Sequence, residues 1–172
     1  HPGIPILGMN LGSLGYLASV GSSEFTKALH CLAKNDFQVV ERTMLSVYKT
    51  ATGERAIALN EIVVMREMTG HAAAIDLSAD GRRVTRYSAD GLVIATPTGS
   101  TAYSLAAGGP VLMPDTSSFV ITPMNPHALG TRPLVVKDSV MLTVASRRRV
   151  NGIAEQLGVY ADGNSVFMLD CD

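Results

Sequence analysis

The sequence predicts a mainly β (α+β) fold, arranged as a two-sheet, sandwich-like domain, and three observations lead there. From Gln38 onward, apolar residues recur with a period of two in short runs separated by Gly, Asp, Asn and Pro. Thr52-Gly53-Glu54 and Ala79-Asp80-Gly81 fall between such runs, as hairpin turns do. A helical period is clearest near the start of the chain, where Phe25, Ala28, Leu29 and Leu32 share one face. Many short strands with turns between them favour two packed antiparallel sheets.

Taken in order, Ile4 to Asn10 reads as a buried strand. Leu11 to Leu17 follows as a glycine-punctuated loop. Its Gly12 and Gly15 permit close backbone approach to a ligand and its Tyr16 can stack on a planar ring; equally, the loop is an ordinary strand-to-helix connection. Ser22 or Ser23 is expected to cap the helix, with Glu24 in its first turn, His30 on its surface, and Asn35-Asp36 ending it beyond Lys34. Val39 to Tyr48 and Ala56 to Met65 read as strands, the second interrupted by the polar pair Asn60-Glu61. Ala73 to Leu77 and Arg82 to Tyr87 form a hairpin. Phe119 to Thr122, Leu134 to Val136, Val140 to Ala145, Gly158 to Tyr160 and Val166 to Leu169 are further short strands. The change of period divides the chain into 1–36 and 37–172.

Composition narrows the function. The 172 residues are 47% hydrophobic, enough to bury a core, while only 17% are charged and the net charge is −1. That balance leaves no electrostatic footprint for nucleic acid or an anionic membrane. No apolar run is long enough to span a bilayer, and no signal-peptide pattern opens the chain. Cys31 and Cys171 stand far apart in unlike contexts, so they read as free thiols of a reducing compartment, and a cytoplasmic location is expected.

The chemistry concentrates between Asp90 and Pro110. Leu92 to Ala95 reads as a buried strand, Thr96-Pro97-Thr98-Gly99 as its break, and Ser100 and Thr101 as N-caps of a short helix stopped by Gly108-Gly109-Pro110. Exposed N–H groups and hydroxyls at such a turn suit a ribose or phosphate, and Asp90 is placed to accept bonds from sugar hydroxyls. The same residues also describe a capped structural turn, and both readings stand on the residues alone. Asn60-Glu61 either satisfies backbone groups at a strand end or points into a site. Thr122 to His127 reads as a rigid, proline-bounded loop, and Arg147-Arg148-Arg149 as a solvated strand end or turn.

Taken as a series, Gly8 to Leu17, Asn60-Glu61, Asp90-Gly91 running into Thr96-Pro97-Thr98-Gly99-Ser100-Thr101-Ala102-Tyr103, then Thr122-Pro123, Pro126-His127 and Arg132-Pro133-Leu134 resemble the NAD kinase family. The blocks fall in the family's order over nearly the whole chain. Lipid kinases acting on diacylglycerol or sphingosine share a related two-domain fold but lack the Thr-Pro-Thr-Gly-Ser-Thr-Ala-Tyr run. The resemblance implies phosphorylation of the 2′-hydroxyl of the adenosine ribose of NAD, giving NADP, with ATP or polyphosphate as donor and a divalent metal, usually magnesium. It implies that Asn60 and Glu61 contact adenosine, that Asp90 binds ribose hydroxyls, and that Thr101, Ala102 and Tyr103 frame the base. Tyr16 and Asp162 are implied beside the ligand, and no catalytic or metal-ligating residue is implied within this chain. It also implies a dimer or tetramer whose site borrows residues from a neighbour, with Thr122 to His127 as the borrowed segment.

Two departures qualify the likeness. Ala106 stands where many relatives have a serine that holds the ligand. The chain contains no Gly-Gly-Asp-Gly, the family segment whose aspartate acts as general base. The expectation is therefore a β-rich carboxy-terminal domain with a remnant of the amino-terminal α/β domain, weak in NAD binding and inactive alone. A non-catalytic NAD-binding or assembly module and a lipid-kinase relative are the alternatives.

Overall fold

The structure is a computed structural model that describes residues 4–11, 20–67, 71–146, 149–150, 153–154 and 156–169. The chain divides into two units, 1–41 and 42–172.

In the first unit, β1 (Met9–Asn10) pairs in parallel with β2 (Val20–Gly21). The buried strand expected over Ile4 to Asn10 is corrected: residues 4–8 form no strand and lie exposed, because only Met9 and Asn10 meet a partner among the described residues. A 3-10 turn at Ser22–Glu24 leads into α1 (Phe25–Ala33). Neither Ser22 nor Ser23 caps it. Glu24 instead reaches back, its Oε2 accepting the Gly21 N–H at 3.3 Å, as a first-turn carboxylate can. The helix ends where expected, with Asn35 at φ +58°. The expected apolar stripe is present but uncovered, Phe25, Leu29 and Leu32 each being more than 40% exposed. Gly12, Gly15 and Tyr16 lie outside the described residues.

The second unit holds β3 (Leu45–Tyr48), β4 (Arg55–Ala58), β5 (Glu61–Arg66), β6 (Ala73–Ala79), β7 (Arg82–Ala89) and β8 (Gly91–Ala95). After a 3-10 turn at Gly99–Thr101 come α2 (Tyr103–Ala106), β9 (Ser118–Met124), β10 (Leu134–Lys137), β11 (Leu142–Ser146), β12 (Arg149–Val150), β13 (Ile153–Ala154), β14 (Leu157–Ala161) and β15 (Asn164–Leu169). A six-stranded sheet runs β10-β9-β8-β5-β14-β15 and a three-stranded sheet runs β11-β6-β7. All of their neighbouring strands are antiparallel. Two-stranded ladders β3-β4 and β12-β13 complete the set. Ile62, Val64, Leu92 and Ile121 of the larger sheet share one buried cluster with Ile75 and Leu77 of the smaller. The sandwich expected from the alternation is the fold.

Beyond shifts of one or two residues, three strand assignments in this unit differ from expectation. Only Leu45–Tyr48 of the run from Val39 forms a strand; pairing stops at Leu45↔Ala58 because the partner chain turns away at Leu59. Ala56 to Met65 is two strands in two sheets, β4 and β5, separated by a bend at Leu59-Asn60. Thr122, Pro123 and Met124 are buried strand residues and not a loop. Pro123 is tolerated there because β9 has run past β10, whose pairing ends at Ile121↔Leu134, leaving one side of β9 without a ladder. Of Arg147-Arg148-Arg149, the first two lie outside the described residues and Arg149 opens β12.

Alternation gives the larger sheet two buried faces. Its inner face packs in the sandwich. Its outer face buries Val63, Val93, Ala95 and Val120, with Ala107 and Leu112 packed over them. Ile121 sits at the centre of the inner face with no exposed surface and pairs on both sides. Ile121→Ala is expected to cost about 2–5 kcal/mol by deleting buried methyl groups and leaving a cavity; urea denaturation measures it.

Candidate functional site

Most of the described residues singled out from sequence gather around one end of β8, where β5 begins. Its organising feature is the bend between β4 and β5. Thr96, directly after β8, holds the carbonyl side of that bend: its Oγ1 donates to Leu59 O at 2.6 Å and its N–H donates to Asn60 O at 2.9 Å. Asp162, on the turn between β14 and β15, holds the amide side. Its Oδ2 accepts the Leu59 N–H at 2.7 Å, and its Oδ1 accepts those of Asn60 at 2.8 Å and Glu61 at 3.1 Å. The Asp162 N–H in turn donates to Glu61 O at 3.1 Å. A carboxylate taking three convergent N–H groups makes strong, charge-assisted bonds.

The Thr-Pro-Thr-Gly turn lies against this bend. A Cβ on Gly99 would collide with the Asn60 backbone carbonyl, so glycine is required by close approach. The expected caps are corrected. Thr96 Oγ1 accepts the Gly99 N–H at 3.1 Å and so serves as the capping hydroxyl. Ser100 Oγ donates to Pro97 O at 2.6 Å and accepts the Leu112 N–H at 2.9 Å, while Thr101 Oγ1 donates to Thr98 O at 3.2 Å. These two hydroxyls bond three residues back because the turn is already closed by Thr96. Ser104 is fully buried and shares a hydrogen bond of 2.9 Å with Thr122 Oγ1, docking α2 on β9. Gly109 packs against both hydroxyls too closely to admit a side chain.

Glu61 is the exceptional residue. It is buried, and its Oε2 has no hydrogen-bond partner among the described residues. Burial pushes its carboxyl above the usual range, the neighbouring Asp162 charge adds to the rise, and a hydrogen bond from the Tyr103 backbone N–H partly offsets it. Asn60 is half-buried beside it, and Ala102 and Tyr103 are exposed. Ala106 is also exposed, so the position where the family resemblance implies a serine is a surface position here.

Asp90 lies elsewhere on the sheet. Glu61 pairs with Ala95, at the far end of β8 from Asp90. The five residues of β8 separate them, a distance of about 17 Å along a strand. There Asp90 Oδ1 meets Arg66 Nη2 at 2.7 Å and Oδ2 accepts Asn125 Nδ2 at 3.0 Å. Arg66 Nη1 also donates to His71 O at 2.7 Å, and the His127 N–H donates to Ser88 O at 2.9 Å. Nearby, the Tyr160 hydroxyl donates to Glu67 Oε1 at 2.5 Å.

The structure therefore brings Asn60, Glu61, Thr101, Ala102, Tyr103 and Asp162 together at one end of β8 and sets Asp90 at the other. Tyr16 lies outside the described residues. Sequence reading did not single out Thr96 or Gly99 for a role, although the Thr-Pro-Thr-Gly run marked the turn; nothing in the sequence signalled Arg66 as a partner of Asp90.

Comparison with known proteins adds independent findings. The model of the ATP-NAD kinase C-terminal domain matches residues 59–167. The NAD kinase of Koribacter versatilis is 45% identical over 148 residues, 84% of this chain and 52% of that protein. That of Geobacter sulfurreducens is 40% identical over 171 residues, 98% of this chain and 59% of that protein. The crystal structure of yeast NADH kinase complexed with NADH superposes with a TM-score of 0.86 at 32% identity, over 97% of this chain and 48% of that one. An NAD kinase from Archaeoglobus fulgidus in complex with ATP gives a TM-score of 0.80 at 29% identity, over 98% of this chain and 66% of that one. The chain spans about half the length of the curated relatives it matches.

Two outcomes test this geometry. Gly99→Ala should displace the Asn60 bend and lower the melting temperature by several degrees, as an unavoidable backbone collision does; thermal melts with amide spectra follow both effects. Glu61→Gln tests the raised carboxyl. The folded chain holds that proton more tightly than the unfolded one, so its stabilisation is complete at low pH and is lost as pH rises through the raised value. The stability of E61Q relative to the parent chain should therefore increase from pH 4 to pH 8 in urea titrations.

Proposed function

The chain belongs to the NAD kinase family, and from that premise we propose that it forms the dinucleotide-binding part of an enzyme that phosphorylates the 2′-hydroxyl of the adenosine ribose of NAD to give NADP. The observation that carries this reading is the buried, unpartnered Glu61 Oε2 beside the exposed Ala102-Tyr103 step. A buried acceptor left open in the free protein is accounted for when a ligand hydroxyl or amine completes it. In this reading Asn60 and Glu61 hold the adenosine portion, and Thr101, Ala102 and Tyr103 frame the base. Asp90 accepts ribose hydroxyls.

The separation of Asp90 from Glu61 bears on assembly. About 17 Å exceeds the reach of one ribose, and Asn125 is tied to Asp90. We assign the two ends of β8 to the sites of neighbouring copies in a dimer or tetramer, with Asn125 to His127 following Asp90 into the neighbour. The substrate class, a dinucleotide of the NAD type, is supported by the relative complexed with NADH, and ATP as donor by the relative in complex with ATP. Polyphosphate is the alternative donor.

Phosphoryl transfer rests on positioning and on neutralising phosphate charge. This chain's residues would bind and orient the acceptor ribose. A divalent ion, magnesium by family likeness, is part of the proposal; among the described residues no group of three or more His, Cys, Asp or Glu side chains converges, and no step is assigned to it. Nor does the sequence contain Gly-Gly-Asp-Gly, and a general base contributes about two to four orders of magnitude. A binding and assembly module without catalysis is therefore the second reading. Among the described residues no helix is long and apolar enough to cross a membrane; a cytoplasmic location is part of the proposal.

Isothermal titration with NAD and NADP, beside a coupled assay for NADP formation, tests the reading. The chain should bind dinucleotide weakly, lose at least about tenfold in affinity on Glu61→Ala or Asp90→Ala, and form NADP at least about a hundredfold below a full-length relative. Unchanged binding in both variants refutes the pocket assignment, and a full family rate from these residues refutes the dependence on the missing segment.

A further inference from the structure

The β14–β15 turn places Asp162 at φ +47° and Gly163 at φ +79°. Such a two-residue turn with both central residues left-handed favours Asn-Gly as well as Asp-Gly, so the turn by itself does not require a carboxylate. The carboxylate is used elsewhere. It takes the N–H groups of Leu59, Asn60 and Glu61, residues more than 100 positions earlier in the chain. Three successive N–H groups converging on one anion form a backbone nest. The carbonyl oxygens of Leu59 and Asn60 are taken at the same time by Thr96. With donors and acceptors held from two different turns, the bend has little freedom. The side chains that leave it include the half-buried Asn60 and Glu61 with its open Oε2.

The geometry points to Asp162 as a positioning residue for dinucleotide recognition: by taking the N–H groups of Leu59, Asn60 and Glu61, it sets the direction in which Asn60 and Glu61 meet the ligand, without touching the ligand itself. This rests on the dinucleotide site proposed above and replaces the direct contact that the family resemblance implies for Asp162. Gly99 is constrained by the same bend. Its turn and the Asp162 turn both hold the bend, and a Cβ there would collide with the Asn60 backbone.

Two substitutions separate the carboxylate from the turn. Asp162→Gly keeps the left-handed conformation and deletes every acceptor; Asp162→Asn keeps the conformation and one acceptor oxygen. Amide hydrogen exchange at residues 59–61, measured without ligand, should accelerate most in D162G and less in D162N, while the amides of Val63 and Val93 remain protected. Affinity for NAD by isothermal titration should fall about tenfold in D162N and about a hundredfold in D162G, the scale of an ångström-sized misplacement. Because Asp162 acts through the two side chains, D162G should cost little further in a chain already carrying Asn60→Ala and Glu61→Ala. Unchanged exchange at residues 59–61, undiminished affinity in D162G, or fully additive losses in the combined variant would overturn the assignment, as would loss of protection across the whole sheet. If the parent chain binds neither NAD nor NADP, the proposed function fails, and the exchange at residues 59–61 alone decides the clamp.

Discussion

The bend at Leu59-Asn60 is held by groups it does not contain. Asp162 supplies the acceptor for three N–H groups and Thr96 supplies a donor and the amide that take two carbonyls. Without those bonds the chain leaving β4 would have no defined route into β5. With them it crosses from the β3-β4 hairpin to the six-stranded sheet in two residues. Hydrogen bonds to a charged acceptor contribute about 1.5–3 kcal/mol each, so a solvent-facing carboxylate suffices to fix a backbone segment. The sandwich core makes the sheet; this bend makes the site.

The same economy of space governs the neighbouring turn. Gly99 and Gly109 sit where backbone or hydroxyl oxygens leave no room for a side chain. Ser100, Ser104 and Thr122 are fully buried and find partners within the turn, α2 and β9. Glu61 breaks this pattern. Its Oε2, buried and open among the described residues, is an acceptor held in place in advance, which would lower the cost of ordering for the ligand proposed above.

Asp90 shows a different design. Its carboxylate is shared between Arg66 and Asn125 on an accessible edge, and Asn125 holds a left-handed conformation at φ +45°. The segment after β9 is thus pinned to the strand end that carries Asp90. Asp90 and Glu61 stand at opposite ends of one five-residue strand.

The sequence by itself determined the sandwich, because alternation with a period of two and Asp-Gly turns act locally and need no partner to be recognised. It also determined the family, through an ordered series of short blocks. It could not determine where strands stop: Val39 to Met44 leads into Leu45 to Tyr48 with no Gly, Pro, Asn, Asp or Ser between them, yet finds no partner beyond Ala58 among the described residues, and pairing is a tertiary property. It gave Ser100 and Thr101 the capping role that tertiary contact assigns to Thr96, since the hydroxyl facing the bend depends on how the turn docks. Asp162 was visible as half of a turn, yet its bonds to Leu59, Asn60 and Glu61 join positions more than 100 residues apart. Only the packing of β14 beside β5 brings them together.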